Sequence, residues 1–183
     1  LTWNENATRD RATLLTAGSE KILLTGTNFG IKSTDANLKP SLTVTYGRTD
    51  VDKTEWFTAT NCAVDNSPAE NVRIVCDSAP GYGAHHVWRV EVSSAIDSNE
   101  GDGTSDSSAV TSYFTPSITS VSAADPIKTT ALGTRGNEQI TLTGENFGPK
   151  GLALEGYYGV GGDGSWYCAK DCVVTVAHTT ATC

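Results

Sequence analysis

The chain has 183 residues, of which 19% are charged, and its formal net charge is -8. The 13 basic residues are scattered and outnumbered by 21 acidic ones, whereas nucleic-acid binding depends on clustered Lys and Arg, so we expect no nucleic-acid partner. The sequence contains no apolar run of the roughly 18 residues that a membrane-spanning helix needs, so we expect no direct membrane insertion.

The first feature in chain order is Asn6-Ala7-Thr8, the only N-glycosylation sequon of the sequence. In a secreted protein such a sequon lies on an exposed turn, and we predict a covalent glycan at Asn6. The many Thr and Ser residues are also compatible with O-glycosylation.

Short runs of alternating apolar and polar residues follow, and helical periodicity is almost absent. Each run has about five residues, is rich in β-branched side chains and is bounded by Gly, Pro, Asn or Asp. Many such strands separated by turn signals predict an all-β sandwich of antiparallel sheets. The predicted strands are Lys21–Thr25, Leu42–Tyr46, Val72–Cys76, Trp88–Val92 and Gln139–Thr143.

The segment Asp97–Asp106 is strongly polar and is predicted to be the tip of a long hairpin. Its acidic residues raise the hypothesis of a calcium site. Asp97 and Asn99 fit the first ligand positions of an EF-hand loop, but Gly101 and Asp102 are at wrong positions. The favoured interpretation is therefore a solvated hairpin tip, and no metal or other cofactor is predicted.

One segment occurs twice, because Gly18–Gly30 and Gly136–Gly148 are identical at nine of 13 positions, at a constant offset of 118. This repeat predicts two tandem domains, 1–115 and 116–183, joined with almost no linker, which would limit bending. The repeated segment ends in a turn motif. The motif comprises Gly26, Asn28, Phe29 and Gly30 in the first copy and Gly144, Asn146, Phe147 and Gly148 in the second.

The turn motif is predicted to have structural roles only. Its first glycine ends a strand where the chain must turn, with a positive φ or a β-bulge. Its asparagine can bond its own backbone in an Asx turn, and its phenylalanine folds back to close the end of the sandwich. After its last glycine, the chain continues into a loop of variable sequence.

Further residues accompany the doubled turn motif. Pro116-Ser117-Ile118 precedes its second copy, while Cys76 and Pro80-Gly81-Tyr82-Gly83 follow the first. Together these residues resemble the IPT/TIG family, the immunoglobulin-like domains found in plexins, transcription factors and many large surface proteins. The resemblance covers essentially the whole chain, although one extra residue precedes Pro80. It implies two tandem immunoglobulin-like β-sandwiches.

The five cysteines form one pair in each repeat and one extra residue, which favours disulfides and an oxidising compartment over a metal site. The resemblance implies a cysteine pair in each domain, and aligning the two halves gives the same pairing twice. The predicted disulfides are Cys62–Cys76 and Cys172–Cys183. Cys168 aligns with Thr58 and has no cysteine counterpart in the first domain. Three alternatives remain for it: a local disulfide to Cys172, an interchain disulfide, or a disulfide to a cysteine beyond residue 183.

The sequence has no P-loop, no G-x-S-x-G and no H-E-x-x-H, and its three histidines are dispersed, so we expect a protein that is not an enzyme. Five aromatic side chains carry specific expectations. We expect His85 and His86 to be exposed, Trp88 to be buried, and the equivalently placed Trp56 and Trp166 to pack in both domains.

The second domain stops at the residue equivalent to Cys76, so we expect it to lack roughly its last two strands, and the first domain begins inside its first strand. One explanation is an excerpt from a longer array of domains. The other is that a neighbouring chain supplies the missing strands by β-addition and so builds a fibre.

These observations favour a structural or adhesive segment of an extracellular, multidomain rod or filament, such as a cell-surface fibre or flagellar hair. Its partners would be further copies or neighbouring domains of the same array. A ligand-binding receptor ectodomain and an accessory domain of a carbohydrate-active enzyme are the alternatives.

Overall fold

The computed structural model describes residues 12–30, 41–65, 72–93, 103–123, 131–159 and 165–183. The glycosylation site predicted at Asn6 lies outside these residues. The chain divides into two compact units, Leu1–Tyr113 and Phe114–Cys183. This division falls two residues before the domain boundary predicted from the sequence.

The described elements are strands apart from one 3₁₀ turn, so the fold is all-β. The first unit contains β1 (Thr13–Leu14), β2 (Lys21–Thr25), β3 (Ser41–Gly47), the 3₁₀ turn Lys53–Glu55, β4 (Phe57–Thr58), β5 (Thr60–Val64), β6 (Arg73–Asp77), β7 (His86–Ser93) and β8 (Gly103–Tyr113). The second unit contains β9 (Ser117–Ala123), β10 (Ile140–Glu145), β11 (Ala153–Gly159), β12 (Trp166–Val176) and β13 (Thr180–Thr182).

The first unit consists of a five-stranded sheet, in the order β1-β8-β7-β3-β4, and a three-stranded sheet, in the order β2-β6-β5. Alternation along each strand sends every second side chain into one core that both sheets share. Ile22 and Leu24 enter it from β2, and Val44 and Tyr46 enter it from β3. Trp88 is also buried in this core, as predicted.

The polar segment before Tyr113 differs from the prediction of a loop that extends to Asp106. Gly103–Asp106 belong to β8, which pairs with β7 as far as Gly103 opposite Val92. Asp106 lies opposite Arg89, and its two carboxylate oxygens each accept a hydrogen bond of 2.6 Å from the guanidinium. This ion pair and the backbone ladder form a strand that apolar alternation does not reveal. Residues 97–102 lie outside the described part of the chain.

The second unit forms a single five-stranded sheet within its described residues, in the order β11-β12-β13-β10-β9. β12 spans 11 residues and pairs with β11 on one side and β13 on the other. In the first unit the equivalent stretch is divided into β4 and β5, which belong to different sheets. The core of the second unit is correspondingly small, with Phe147, Val174 and Ala181 as its buried members.

Candidate functional site

Each unit contains one disulfide between neighbouring antiparallel strands. Cys62–Cys76 joins β5 to β6, and Cys172–Cys183 joins β12 to β13. The bonds close chain separations of 14 and 11 residues, and each is expected to stabilise its unit by about 3 kcal/mol. The two bonds indicate an oxidising environment outside the cytosol.

A backbone feature that the sequence analysis missed lies directly before the first cysteine of each pair. Asn61 and Asp171 adopt positive φ, at 52° and 55°, where the pairing register of their strands shifts. Asn and Asp tolerate this left-handed conformation better than most residues. The bulge turns the following cysteine into the interior. The signal in the sequence was the Asx-Cys pair common to both repeats.

Cys168 is a free and exposed thiol. It lies opposite Tyr157 in the β11–β12 ladder, so both side chains project from the same face of the sheet. The local bridge to Cys172 is not formed, because Cys172 is bonded to Cys183. Among the described residues, no group of three or more His, Cys, Asp or Glu side chains could hold a metal ion.

The turn motif has the same backbone conformation in both units, and a β-bulge, one of the two alternatives predicted for its first glycine, occurs at Gly144. Positive φ belongs to Asn28 (63°) and Asn146 (62°), and not to the first glycine of either copy. A Cβ atom on Gly26 would overlap the Phe29 ring, and one on Gly144 would overlap the backbone oxygen of Ser117. The first glycine is therefore required for close packing, and a register shift beside it occurs at Gly144.

The phenylalanines of the turn motif are buried, and the motif anchors the hairpin between β12 and β13. The Phe147 N–H donates to the His178 carbonyl at 3.1 Å, and the His178 N–H donates to the Gly148 carbonyl at 2.7 Å. The amide nitrogen of Asn146 makes a long contact of 3.4 Å with the Thr115 carbonyl. The motif therefore holds one end of the sheet in place.

A closed ring of hydrogen bonds joins the two sheets of the first unit. The Ala79 N–H donates to the Tyr46 hydroxyl at 2.8 Å, the Tyr46 and Tyr113 hydroxyls lie 2.6 Å apart, and Tyr113 donates to the Ala79 carbonyl at 2.7 Å. Burial raises the pKa of both phenols, so they remain neutral donors. This ring connects β3, β8 and the loop after β6.

His86 is buried, which corrects the prediction that both histidines of the pair are exposed; His85 alone is exposed. β7 begins at His86, so the alternation that buries Trp88 also buries His86. The imidazole packs edge-on against Phe57 at 5.6 Å and Tyr113 at 5.3 Å. Burial lowers the pKa of His86 to about 4, although a hydrogen bond to the Tyr82 backbone opposes the shift.

The two tryptophans before the cysteine pairs differ, although both were expected to pack. Trp56 donates its indole N–H to the Arg48 carbonyl at 2.9 Å, and the Arg89 guanidinium of β7 lies 5.7 Å from the centre of its ring. Trp166 is 60% exposed. Its packing prediction is wrong because no strand equivalent to β7 lies beside it in the described part of the second unit.

One face of the second unit's sheet is apolar and only partly covered. Pairing places its members on the same side of the sheet, because residues directly opposite one another share a face. Tyr158 and Tyr167 are 48% and 61% exposed, and their rings lie 5.5 Å apart. We call this surface the open face; it comprises Val121, Ile140, Leu142, Leu154, Tyr158 and Tyr167.

A surface groove of about 530 Å³ also occurs in the second unit, between the residues before β10 and the middle of β12. Arg135, Glu138 and Lys170 line it, but none of its lining residues is buried. Glu138 already accepts a hydrogen bond of 2.6 Å from the Gly133 N–H. The groove therefore lacks the enclosed polar groups of a small-molecule site.

Comparisons with known proteins found no family model, no curated protein and no solved structure that matches the chain. A search of the described residues found no helix with the length and hydrophobicity needed to cross a membrane.

Proposed function

We propose that the chain is a non-catalytic structural segment of an extracellular, multidomain rod or filament, built from IPT/TIG-like domains. The strand order of the first unit supports the family proposal. Its β2-β6-β5 sheet and the β8-β7-β3 core of its other sheet have the connectivity of the two sheets of an immunoglobulin sandwich. The partners would be neighbouring domains of the same array, and covalent glycans would cover exposed surface.

The observation that carries this proposal is the parallel pairing of β1 with β8. Thr13 pairs with Ser112 and Leu14 with Tyr113, so strands near the two ends of the first unit lie side by side. Tension on those ends pulls parallel neighbours in opposite directions along their length. Their hydrogen bonds must then break together in shear, whereas an antiparallel hairpin unzips one bond at a time.

The disulfides support a mechanical role as well. Each residue contributes at most about 3.5 Å to an extended chain. The Cys62–Cys76 bond therefore withholds roughly 50 Å of extension, and the Cys172–Cys183 bond withholds roughly 38 Å. A unit pinned in this way remains short even after its sheets separate, which suits a segment that must preserve spacing under load.

Single-molecule force spectroscopy on the 183-residue chain, pulled by its two ends, tests the proposal. Ser112→Pro removes the N–H that donates to the Ala12 carbonyl at 2.7 Å, so we expect a lower unfolding force for the first unit. Ser112→Ala is the matched control, because it removes the hydroxyl and keeps the N–H. An unchanged force in Ser112→Pro would contradict the shear mechanism. Electron microscopy of the native material checks whether the assembled protein is filamentous.

A further inference from the structure

The imidazole of His86, at the start of β7, is enclosed by aromatic side chains and is only 2% exposed. Three rings meet it edge-on, with centres 6.0 Å away at Tyr46, 5.6 Å at Phe57 and 5.3 Å at Tyr113. Its Nδ1 atom is buried and has no hydrogen-bond partner among the described residues. The neutral imidazole fits this environment, because its unprotonated nitrogen has no hydrogen to donate.

The remaining contacts of the imidazole come from residues 80–85, which connect β6 to β7 and which we call the cover loop. The backbone of Tyr82 makes a hydrogen bond with the imidazole. Gly83 has a φ of 91°, and a Cβ atom there would lie 3.2 Å from the Nε2 atom of His86. The Tyr82 ring packs edge-on against Phe57 at 5.8 Å. The cover loop therefore closes one side of the imidazole's surroundings.

The cover loop is attached less extensively than the strands beside it. β3 and β7 are paired over seven consecutive residue pairs. In the part of the chain that the structure describes, hydrogen bonds attach the cover loop at three points. The Gly81 N–H donates to the Thr16 carbonyl at 2.9 Å, the Tyr113 N–H to the Gly83 carbonyl at 2.8 Å, and the His85 N–H to the Ser112 hydroxyl at 3.1 Å.

The charged and titratable groups around His86 do not favour an imidazolium. Burial raises the pKa of the Tyr46 and Tyr113 phenols, so they are neutral and offer no negative charge. Burial is also the largest cause that lowers the pKa of His86 to about 4, and the charges of Arg48 and His85 lower it further. A buried charge without a partner is costly, so a protonated His86 favours any rearrangement that brings water to it.

We propose that the cover loop is an acid-sensitive lid, which detaches when His86 is protonated while the two sheets of the first unit remain folded. Detachment replaces the three hydrogen bonds of the cover loop by bonds to water, whereas unfolding of the unit would also disrupt the core that both sheets share. The open lid would expose Phe57 and Tyr113, so this end of the first unit would present a different surface in acid. The inference goes beyond the proposed function and does not depend on it.

Native-state hydrogen exchange of the 183-residue chain, measured at pH 7.5 and 4.5 in increasing urea, tests the proposal. The amides of Gly81, His85 and Tyr113 report on the lid, because their hydrogen bonds attach it. Their protection factors should fall by about 70-fold between the two pH values, since only the open form binds the proton readily. This exchange should depend little on urea, because a local opening exposes little surface. Amides of the β2–β6 ladder should show the full urea dependence of unfolding.

Two variants assign the response to one imidazole. His86→Phe keeps an aromatic ring and removes the titrating group, so the protection of the lid amides should no longer change with pH. His85→Asn is the matched control, because it removes the neighbouring exposed imidazole and asparagine tolerates the φ of 60° at this position. It should keep the fall in protection.

The unmodified chain alone can overturn the proposal. Equal protection of the lid amides at pH 7.5 and 4.5 would do so. A full urea dependence of these amides would do so as well, because the cover loop would then open only when the whole unit unfolds. In the variants, a response that persists in His86→Phe or disappears in His85→Asn would show that another group controls the lid.

Discussion

The two units repeat the same local structures but bury them to different extents. Tyr46 is completely buried beneath β7, whereas its counterpart Tyr158 is 48% exposed. Ile22 and Leu24 are buried in β2, while Ile140 and Leu142 in β10 are only partly covered. The strand, the turn motif and the disulfide are therefore local properties of the repeated sequence. Burial depends on which strands pack over them.

The largest expected effect separates the two equivalent tyrosines. Tyr46→Ala should destabilise the first unit by about 4 kcal/mol, because it removes a buried aromatic ring and opens the hydrogen-bonded ring with Tyr113 and Ala79. Tyr158→Ala should cost less than about 1 kcal/mol in the second unit, because its ring is half in water. Urea unfolding followed by residue-resolved hydrogen exchange measures both. Equal losses would mean that the open face is covered in solution.

The disulfides give the next contrast. Replacing either pair by alanines removes about 3 kcal/mol from its own unit. Among the described residues, the core of the first unit has 13 buried apolar members, whereas that of the second has three. We therefore expect the Cys172→Ala, Cys183→Ala chain to lose the fold of the second unit, while the Cys62→Ala, Cys76→Ala chain keeps both units. Amide exchange of β13 and β6 reports the two outcomes, and persistent protection of β13 in the first variant would contradict the expectation.

Lowering the pH should reduce the stability of the first unit through protonation of His86. Its pKa is about 4 in the folded state and near 6.5 when unfolded, so folding favours the neutral imidazole. This stability is complete above pH 6.5 and is lost as the pH falls from 6.5 to 4, by about 2–3 kcal/mol. The described part of the second unit has no buried histidine.

His86→Phe is the control for this pH dependence. It keeps an aromatic ring among Phe57, Tyr82 and Tyr113 and removes the titrating group. The free energy of unfolding of the variant should not show the loss between pH 6.5 and 4. A wild-type chain whose first unit is as stable at pH 4 as at pH 7 would show that the imidazole is accessible to protons in the folded state.

Much of the local structure was predictable from the sequence, because strand alternation and the repeated segment depend on neighbours along the chain. The alignment of the repeats paired the same cysteines that the structure joins. The exposure of Trp166 was not predictable in this way, because it depends on whether a strand distant in sequence packs beside the indole ring. The burial of His86 was not predicted because the predicted strand began two residues too late. The polar half of β8 was not predicted because an ion pair with Arg89 replaces apolar alternation there.

The smallest expected effect tests whether the turn motif is equally tight in both units. A Cβ atom on Gly26 meets the end of the Phe29 ring, which can tilt away, so Gly26→Ala should cost about 1 kcal/mol. On Gly144 it meets the Ser117 carbonyl of the neighbouring strand β9, and backbone cannot move without breaking the β9–β10 ladder. Gly144→Ala should therefore cost about 2–3 kcal/mol. Thermal unfolding measures the difference. A larger loss of stability in Gly26→Ala would show that Phe29 is held more rigidly than strand β9. The more tightly packed copy of the turn motif would then be the one in the first unit, which has the larger core.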